Sequence, residues 1–108
     1  MTADTTEHFV QLPDGCTSMA EVRAGVDATD RELMRLLDRR FGYMRAAARI
    51  KPERNQVRDE ERKAAVITAV REDAERRGLP VQVIAQMWEQ LVEASIAYEM
   101  EEWDRIRA

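Results

Sequence analysis

The chain has 108 residues, of which 44% are apolar and 35% are charged, and its formal net charge is −4. This length fits a single domain, the apolar fraction is too high for a disordered chain, and the net charge provides no basic excess for nucleic-acid binding. The low numbers of glycine, proline and aromatic residues argue against a sandwich or barrel with many turns. Abundant Ala, Glu, Arg, Leu and Met favour helices, so the composition predicts an all-α fold.

The sequence also limits the cellular compartment of the protein and the kinds of reactive site that it can form. The one cysteine, Cys16, allows no disulfide within the chain, and residues 1–11 lack the basic and apolar regions of a signal peptide. No apolar run approaches the roughly 20 residues that a membrane span needs. One His and one Cys are too few for a zinc site or a Cys/His nucleophile. We therefore expect a cytoplasmic protein that has no membrane or nucleic-acid partner and binds no metal.

The beginning of the chain is predicted to be an arm that precedes one helical domain. Residues 1–17 are polar and contain a turn signal, Pro13-Asp14-Gly15, so we expect this arm to be partly disordered. Ser18 and Glu21 then have the spacing of a capping box, in which the hydroxyl and the carboxylate each bond a free backbone amide. A single helical domain is predicted for residues 18–108.

A long first helix is predicted to follow the cap. Apolar residues recur at helical spacing at Met19, Val22, Val26, Leu33, Leu36, Leu37, Phe41, Met44 and Ala48. Gly25 and Gly42 each weaken a helix by about 1 kcal/mol relative to Ala, but they do not end it. Because no proline lies between the cap and Pro52, we expect the helix to run from about Met19 to about Ile50.

Two further helices are predicted after a polar loop at residues 51–58. Asp59-Glu60-Glu61 places acidic groups at a helix N-terminus, where the helix dipole favours them. Arg76-Arg77-Gly78 is typical of a helix C-terminus, and Pro80 suits the first turn of the third helix. Apolar spacing continues to about Trp103, so the chain is predicted to contain a long, a shorter and another long helix.

The length of the first helix predicts an intertwined homodimer. A helix of about 31 residues spans roughly 46 Å, whereas a compact domain of this size has a diameter of roughly 34 Å. The apolar stripe continues through the part of the helix that extends beyond such a domain. A second copy of the chain would bury that surface and create shared sites. The alternative is a first helix that is broken at Gly25 or Gly42.

Polar side chains interrupt the predicted apolar stripes at Arg23, Arg40, Lys51, Arg62, Ser95 and Glu99. Each of them could simply be a solvated group or a long side chain lying over apolar surface. Arg40 and Lys51 are about three helical turns apart and point the same way, whereas Arg23 is rotated by roughly 100° from Arg40. In an antiparallel dimer, Arg23 of one chain could meet Arg40 and Lys51 of the other. Such a pocket would suit a small polyanion, because arginine binds a carboxylate through two hydrogen bonds.

Short motifs follow one another along most of the chain in a specific order. They are CTSMAEVR at 16–23, Val26-Asp27, Asp30, LLDRR at 36–40, AAARIK at 46–51, VRDEER at 57–62 and EASIAYE at 93–99. In this order and at these spacings they resemble the all-helical (type II) chorismate mutase family, which includes isochorismate-pyruvate lyases. The resemblance covers about residues 16–103.

The resemblance implies a domain-swapped homodimer of three-helix chains with two equivalent active sites. Its implied reaction is the Claisen rearrangement of chorismate to prephenate, which needs no cofactor, no metal and no covalent intermediate. The protein would bind the dianion in a compact conformer and place positive charge against the ether bond that breaks.

The resemblance also implies roles for individual residues. Its implied substrate-binding residues are Arg23, Arg40, Lys51, Asp59, Arg62, Lys63, Ser95 and Glu99, and its implied catalytic residues are Lys51, Glu99 and Arg40. Arg40 and the partner chain's Arg23 would clamp the two carboxylates, while Lys51 would donate to the ether oxygen. Of the others, Arg62 would add positive charge, Ser95 would position a carboxylate, and the region of Asp59 would contact the substrate hydroxyl.

Two positions depart from the family pattern. Many members have Gln where this chain has Glu99, and a carboxyl group can donate to the ether oxygen only when it is protonated. We therefore expect activity to be favoured at acidic pH. Several mutases have Glu at the position of Lys63, and Lys cannot accept a hydrogen bond from the substrate hydroxyl. This departure leaves open whether the substrate is chorismate, isochorismate or aminodeoxychorismate.

Three other functions fit the same sequence features. The first is isochorismate-pyruvate lyase activity, which forms salicylate and pyruvate in a pericyclic reaction that the same cationic pocket could serve. The second is a helical dimer that binds an aromatic metabolite without converting it. The third is a purely structural helical dimer, since stripes of Met and Leu belong more often to a core than to a site.

Overall fold

The computed structural model describes residues 10–108, and within this range it contains three α helices and no strand. Helix α1 spans Met19–Ile50, α2 spans Glu60–Arg76 and α3 spans Val81–Arg107. Two short 3-10 helices, Pro13–Gly15 and Arg54–Gln56, lie before α1 and in the loop that follows it. The predicted all-α chain with a long, a shorter and another long helix is confirmed. The alternative of a broken first helix is wrong, because α1 is continuous through both of its glycines.

The residues before α1 form its N-terminal cap. The Ser18 hydroxyl accepts a hydrogen bond from the Glu21 amide at 3.2 Å, as a capping box requires. The Glu21 carboxylate reaches one residue further back than predicted and accepts from the Thr17 amide at 2.7 Å. This backbone bond lowers the pKa of Glu21. Of the predicted arm, residues 1–9 lie outside the described part of the chain.

Helix α2 has a side-chain cap at its start and a glycine cap at its end. The Asp59 carboxylate accepts a hydrogen bond from the Arg62 amide at 3.0 Å and so caps the N-terminus. At the other end, the Leu79 amide bonds the Ala74 carbonyl and the Gly78 amide bonds the Glu75 carbonyl. These two bonds form a Schellman motif, which requires the positive φ of 69° at Gly78.

Helix α3 packs against α2 and continues about one turn beyond the predicted end at Trp103. In this extension Arg105 bonds Glu102, one turn earlier, at 2.9 and 2.7 Å. No helix in the part of the chain that the structure describes is both long enough and apolar enough to cross a membrane.

The chain divides into two compact units, one up to Arg40 and one from Phe41 to Ala108. Within residues 10–108 the buried apolar residues all lie in the second unit, and they are Ala48, Val57, Ala74, Ala85 and Val92. In the first unit the apolar side chains of α1 are exposed instead, with Val26 at 53%, Leu33 at 51% and Met34 at 65%. The core therefore belongs to the second unit, and the first unit carries an uncovered apolar face.

Candidate functional site

The candidate site is built around Lys51, which directly follows α1. Its Nζ atom lies 2.8 Å from Oε2 of Glu99, a residue of α3 whose side chain is only 5% exposed. The same Nζ atom also lies 3.5 Å from the carbonyl oxygen of Val57, at the other end of the loop. Val57 is itself buried. The Lys51 ammonium group thus contacts the loop through Val57 and α3 through Glu99.

Glu99 is a buried carboxylate with unused hydrogen-bonding capacity. Its Oε2 atom has no hydrogen-bond partner among the described residues, although Lys51 Nζ is close to it. The contact is therefore an ion pair without an aligned hydrogen bond. Buried polar atoms are normally hydrogen-bonded, so an unsatisfied carboxylate oxygen beside a lysine indicates a place where a ligand can bind.

An open hollow lies beside Lys51, on the side of the loop and the start of α2. It has a volume of about 550 Å³ and is lined by Ile50, Lys51, Pro52, Gln56, Arg58, Asp59 and Glu60. The charged residues that line this hollow are the cations Lys51 and Arg58 and the carboxylates Asp59 and Glu60, and the hollow is large enough for a small ring compound. The predicted loop at residues 51–58 therefore borders the candidate site.

Lys63, a predicted substrate-binding residue, is held by two carboxylates of α3. Its Nζ atom lies 2.8 Å from Glu89 and 2.7 Å from Glu93, and Glu89 is the main cause that raises the pKa of Lys63 to about 12. Arg58 also bonds Glu93, at 2.7 and 3.2 Å. Arg58, followed by Lys63, lowers the pKa of Glu93 to about 2. These contacts balance the charge of Lys63 and keep Glu93 ionised.

The other predicted residues of the second unit have different environments. Ser95 is buried, and its hydroxyl donates to the Leu91 carbonyl one turn earlier, at 2.7 Å. The Asp59 side chain caps α2, and the Asp59 carbonyl accepts a hydrogen bond from the Lys63 amide at 3.0 Å. The side chain of Arg62 is exposed.

The remaining two predicted residues lie on α1 in the first unit. Arg23 is exposed and Arg40 is half-buried. A separate apolar hollow of about 370 Å³ exists in this unit, lined by Val10, Gln11, Leu12, Pro13, Cys16, Val22, Gly25, Val26, Thr29 and Asp30. Among the described residues that line it, the charged one is the acidic Asp30, so this hollow is unsuited to a dianion.

Sequence reasoning missed the contacts that hold the loop and Lys51 in place. Arg54, in the loop, forms a two-bond ion pair with Asp104 of α3 at 2.8 and 3.1 Å. Trp103 and Arg107 bond the backbone carbonyl of Lys51. No local sequence pattern predicts these contacts, because the partners are about 50 residues apart in the sequence.

Comparison with known proteins agrees with the resemblance in the sequence. The family model of chorismate mutase type II matches residues 22–100. An isochorismate pyruvate lyase from Pseudomonas aeruginosa is 29% identical over 98 residues, which are 91% of this chain and 97% of that protein. Because the family model covers more than half of the chain, the protein belongs to the chorismate mutase type II family.

Proposed function

We propose that this protein is a chorismate mutase that converts chorismate to prephenate at a site centred on Lys51 and Glu99. The observation that carries the proposal is the Lys51 ammonium 2.8 Å from the buried, incompletely bonded Glu99 carboxylate. In the rearrangement the ether C–O bond breaks while a C–C bond forms, and negative charge develops on the ether oxygen. Lys51 supplies one donor for that oxygen, and Glu99 adds a second only in its protonated form.

The proposal includes a homodimer with two shared sites. It is supported by the exposed apolar side chains of α1, among them Met19 at 57%, Val26 at 53% and Leu33 at 51%. A second copy is the occupant that would bury this face, because a long apolar patch is rarely left in water. In this dimer Arg40 and the partner's Arg23 bind the two substrate carboxylates through paired hydrogen bonds.

Isochorismate-pyruvate lyase activity is the second candidate. It is supported by the 29% identity with the lyase from Pseudomonas aeruginosa. It is also supported by Lys63, because both of its carboxylate contacts leave it a cation that cannot accept a hydrogen bond from the chorismate hydroxyl. The lyase reaction is pericyclic too, so the same donors would stabilise its transition state.

Incubation of the purified protein with chorismate and with isochorismate, in separate reactions, tests both candidates. Formation of prephenate supports the mutase, and formation of salicylate with pyruvate supports the lyase. If neither forms, a thermal shift with a bicyclic diacid that mimics the transition state separates the remaining functions. A metabolite-binding dimer would be stabilised by this compound, whereas a structural dimer would not.

A further inference from the structure

Two side chains at the C-terminal end of α3 donate hydrogen bonds to backbone carbonyls at the C-terminal end of α1. The Trp103 indole Nε1 donates to the Lys51 carbonyl at 3.0 Å, and Arg107 Nη2 donates to the same oxygen at 2.9 Å. Arg107 Nη1 donates in addition to the Ala48 carbonyl at 3.0 Å. We call these two side chains, Trp103 and Arg107, the C-terminal clamp.

The clamp satisfies backbone groups that a helix cannot satisfy by itself. The last carbonyls of an α-helix have no partner within the helix, and the Lys51 amide accounts here only for that of Ala47. Ala48 is fully buried, so water is a poor substitute at its carbonyl. A guanidinium at a helix C-terminus is also favoured by the helix dipole.

The two side chains of the clamp support each other. The Arg107 guanidinium lies over the Trp103 ring, 4.1 Å from the ring centroid, in a cation–π contact. Arg107 Nη1 also lies 3.4 Å from the Trp103 carbonyl. Loss of either side chain is therefore expected to loosen the other.

The clamp and Glu99 bind opposite ends of Lys51, the clamp its backbone carbonyl and Glu99 its side-chain ammonium group. Glu99 lies one helical turn before Trp103 on α3, so the two share a face of that helix. Trp103 and Arg107 fix the Lys51 carbonyl, and Glu99 holds the Lys51 ammonium at 2.8 Å. The position from which the lysine side chain starts is thus set by the clamp, independently of any ligand.

We propose that Trp103 and Arg107 are positioning residues that aim Lys51 at the reacting ether oxygen. The proposal rests on the proposed function, because it assigns Lys51 to the transition state. A displacement of about 1 Å in a catalytic group can lower a rate by about 10²-fold, so the clamp acts on catalysis without touching substrate.

The test compares Arg107→Ala and Trp103→Phe with Arg105→Ala as the matched control. Arg105 is a neighbouring guanidinium that bonds Glu102 and not the Lys51 carbonyl. Both clamp variants are expected to lower kcat at least 10-fold with less than a 3-fold change in KM, since Lys51 acts mainly in the transition state. The control is expected to keep kcat within 2-fold. Equal kcat in all four proteins, the wild type included, overturns the proposal.

Hydrogen–deuterium exchange of residues 51–58 gives a second readout that needs no substrate. The Gln56 and Val57 amides are hydrogen-bonded within this loop and are expected to exchange at least 10-fold faster in Arg107→Ala than in Arg105→Ala. If the wild type converts neither substrate, the proposed function fails, and this measurement still decides whether the clamp orders the Lys51 segment. Unchanged exchange in both clamp variants overturns the proposal.

Discussion

Two carboxylates on α3 have opposite surroundings, although they lie only six residues apart. Glu93 is half-exposed and is bonded by both Arg58 and Lys63. Glu99 is buried, with Lys51 as its ion-pair partner and one oxygen that lacks a hydrogen bond. The Glu93 carboxylate, which two cations already bond, is a structural group. A carboxylate that is buried and incompletely bonded is suited to bind a substrate.

Replacing Glu99 tests its role as a donor to the ether oxygen. A carboxyl group can donate to the ether oxygen only when it is protonated, whereas the amide of Glu99→Gln donates at every pH. The kcat of Glu99→Gln should therefore depend less on pH than that of wild type. The measurement is prephenate formation against pH. A wild-type profile that Glu99→Gln leaves unchanged would remove Glu99 from this role.

Glu93 predicts a pH-dependent contribution to stability. Its pKa is lowered from 4.5 to about 2, mainly by hydrogen bonds from Arg58, so its ionised form stabilises the fold above about pH 4.5. This contribution is lost as the pH falls from about 4.5 towards 2. The Tm of wild type should exceed that of Glu93→Gln at pH 7, and the difference should shrink at pH 3.

Thermal unfolding at one fixed protein concentration measures this difference. The control is Glu101→Gln, because Glu101 is exposed on the same helix and forms no ion pair within residues 10–108. Its Tm should follow that of wild type at both pH values. A Tm difference for Glu93→Gln that is the same at pH 7 and pH 3 would contradict the role assigned to its ionised form.

At the level of elements, the helix ends fix the loops that border the site. Asp59 caps the start of α2, beside the hollow, and Gly78 allows the tight reversal into α3. This reversal sets α3 antiparallel to α2, so that Glu89 and Glu93 reach Lys63. The capping residues therefore contribute to the site geometry without contacting a ligand.

The glycine at the end of α2 should tolerate substitution poorly. Gly78→Ala is expected to destabilise the fold by about 1 kcal/mol, because a Cβ atom disfavours the positive φ of 69°. Gly78→Asn should lose less stability than Gly78→Ala, since Asn adopts a positive φ more readily. Urea unfolding of both variants measures the effect. Alanine and asparagine variants as stable as wild type would argue against the Schellman motif in solution.

At the scale of the whole molecule, the distribution of burial is uneven. The buried apolar residues lie between Phe41 and Ala108, whereas the unit up to Arg40 exposes apolar side chains such as Met34 at 65%. A chain of this kind gains stability by association, because burial of apolar area is favourable by roughly 25 cal/mol per Å². This asymmetry supports the proposed homodimer.

Mixed dimers test whether the sites are shared between chains. Arg23→Ala and Arg40→Ala should each lower kcat at least 10²-fold, because each removes a charged donor to a substrate carboxylate. If Arg23 and Arg40 of one site come from different chains, a refolded 1:1 mixture contains dimers with one intact site. This mixture should recover about a quarter of wild-type activity, since half of the dimers are mixed and each has one working site.

The control is Arg39→Ala, because Arg39 is an exposed neighbour on the same helix, and its kcat should stay within about 2-fold of wild type. Recovery of no activity in the mixture would place Arg23 and Arg40 of a site on one chain. A protein that stays monomeric at all concentrations in sedimentation analysis would contradict the dimer itself.

Local sequence patterns predicted the helices and their caps well. The start and end of α1 at Met19 and Ile50, the acidic start of α2 and its glycine end all agree with the structure. Capping and periodicity act within a few residues along the chain, so they can be recognised in the sequence. The one further turn of α3 after Trp103 was not predicted, because Arg107 in that turn bonds the carbonyls of Ala48 and Lys51, which are distant in the sequence.

The sequence by itself determined the all-α class, the order and approximate length of the helices, and the family to which the chain belongs. Only the tertiary structure decided that Lys51 pairs with Glu99, that Lys63 pairs with Glu89 and Glu93, and that Trp103 grips the Lys51 carbonyl. The physical reason is the sequence separation between the residues that make each kind of contact. Helix formation follows from contacts three or four residues apart, whereas these pairs join residues 26 to 52 positions apart that meet only when the helices pack.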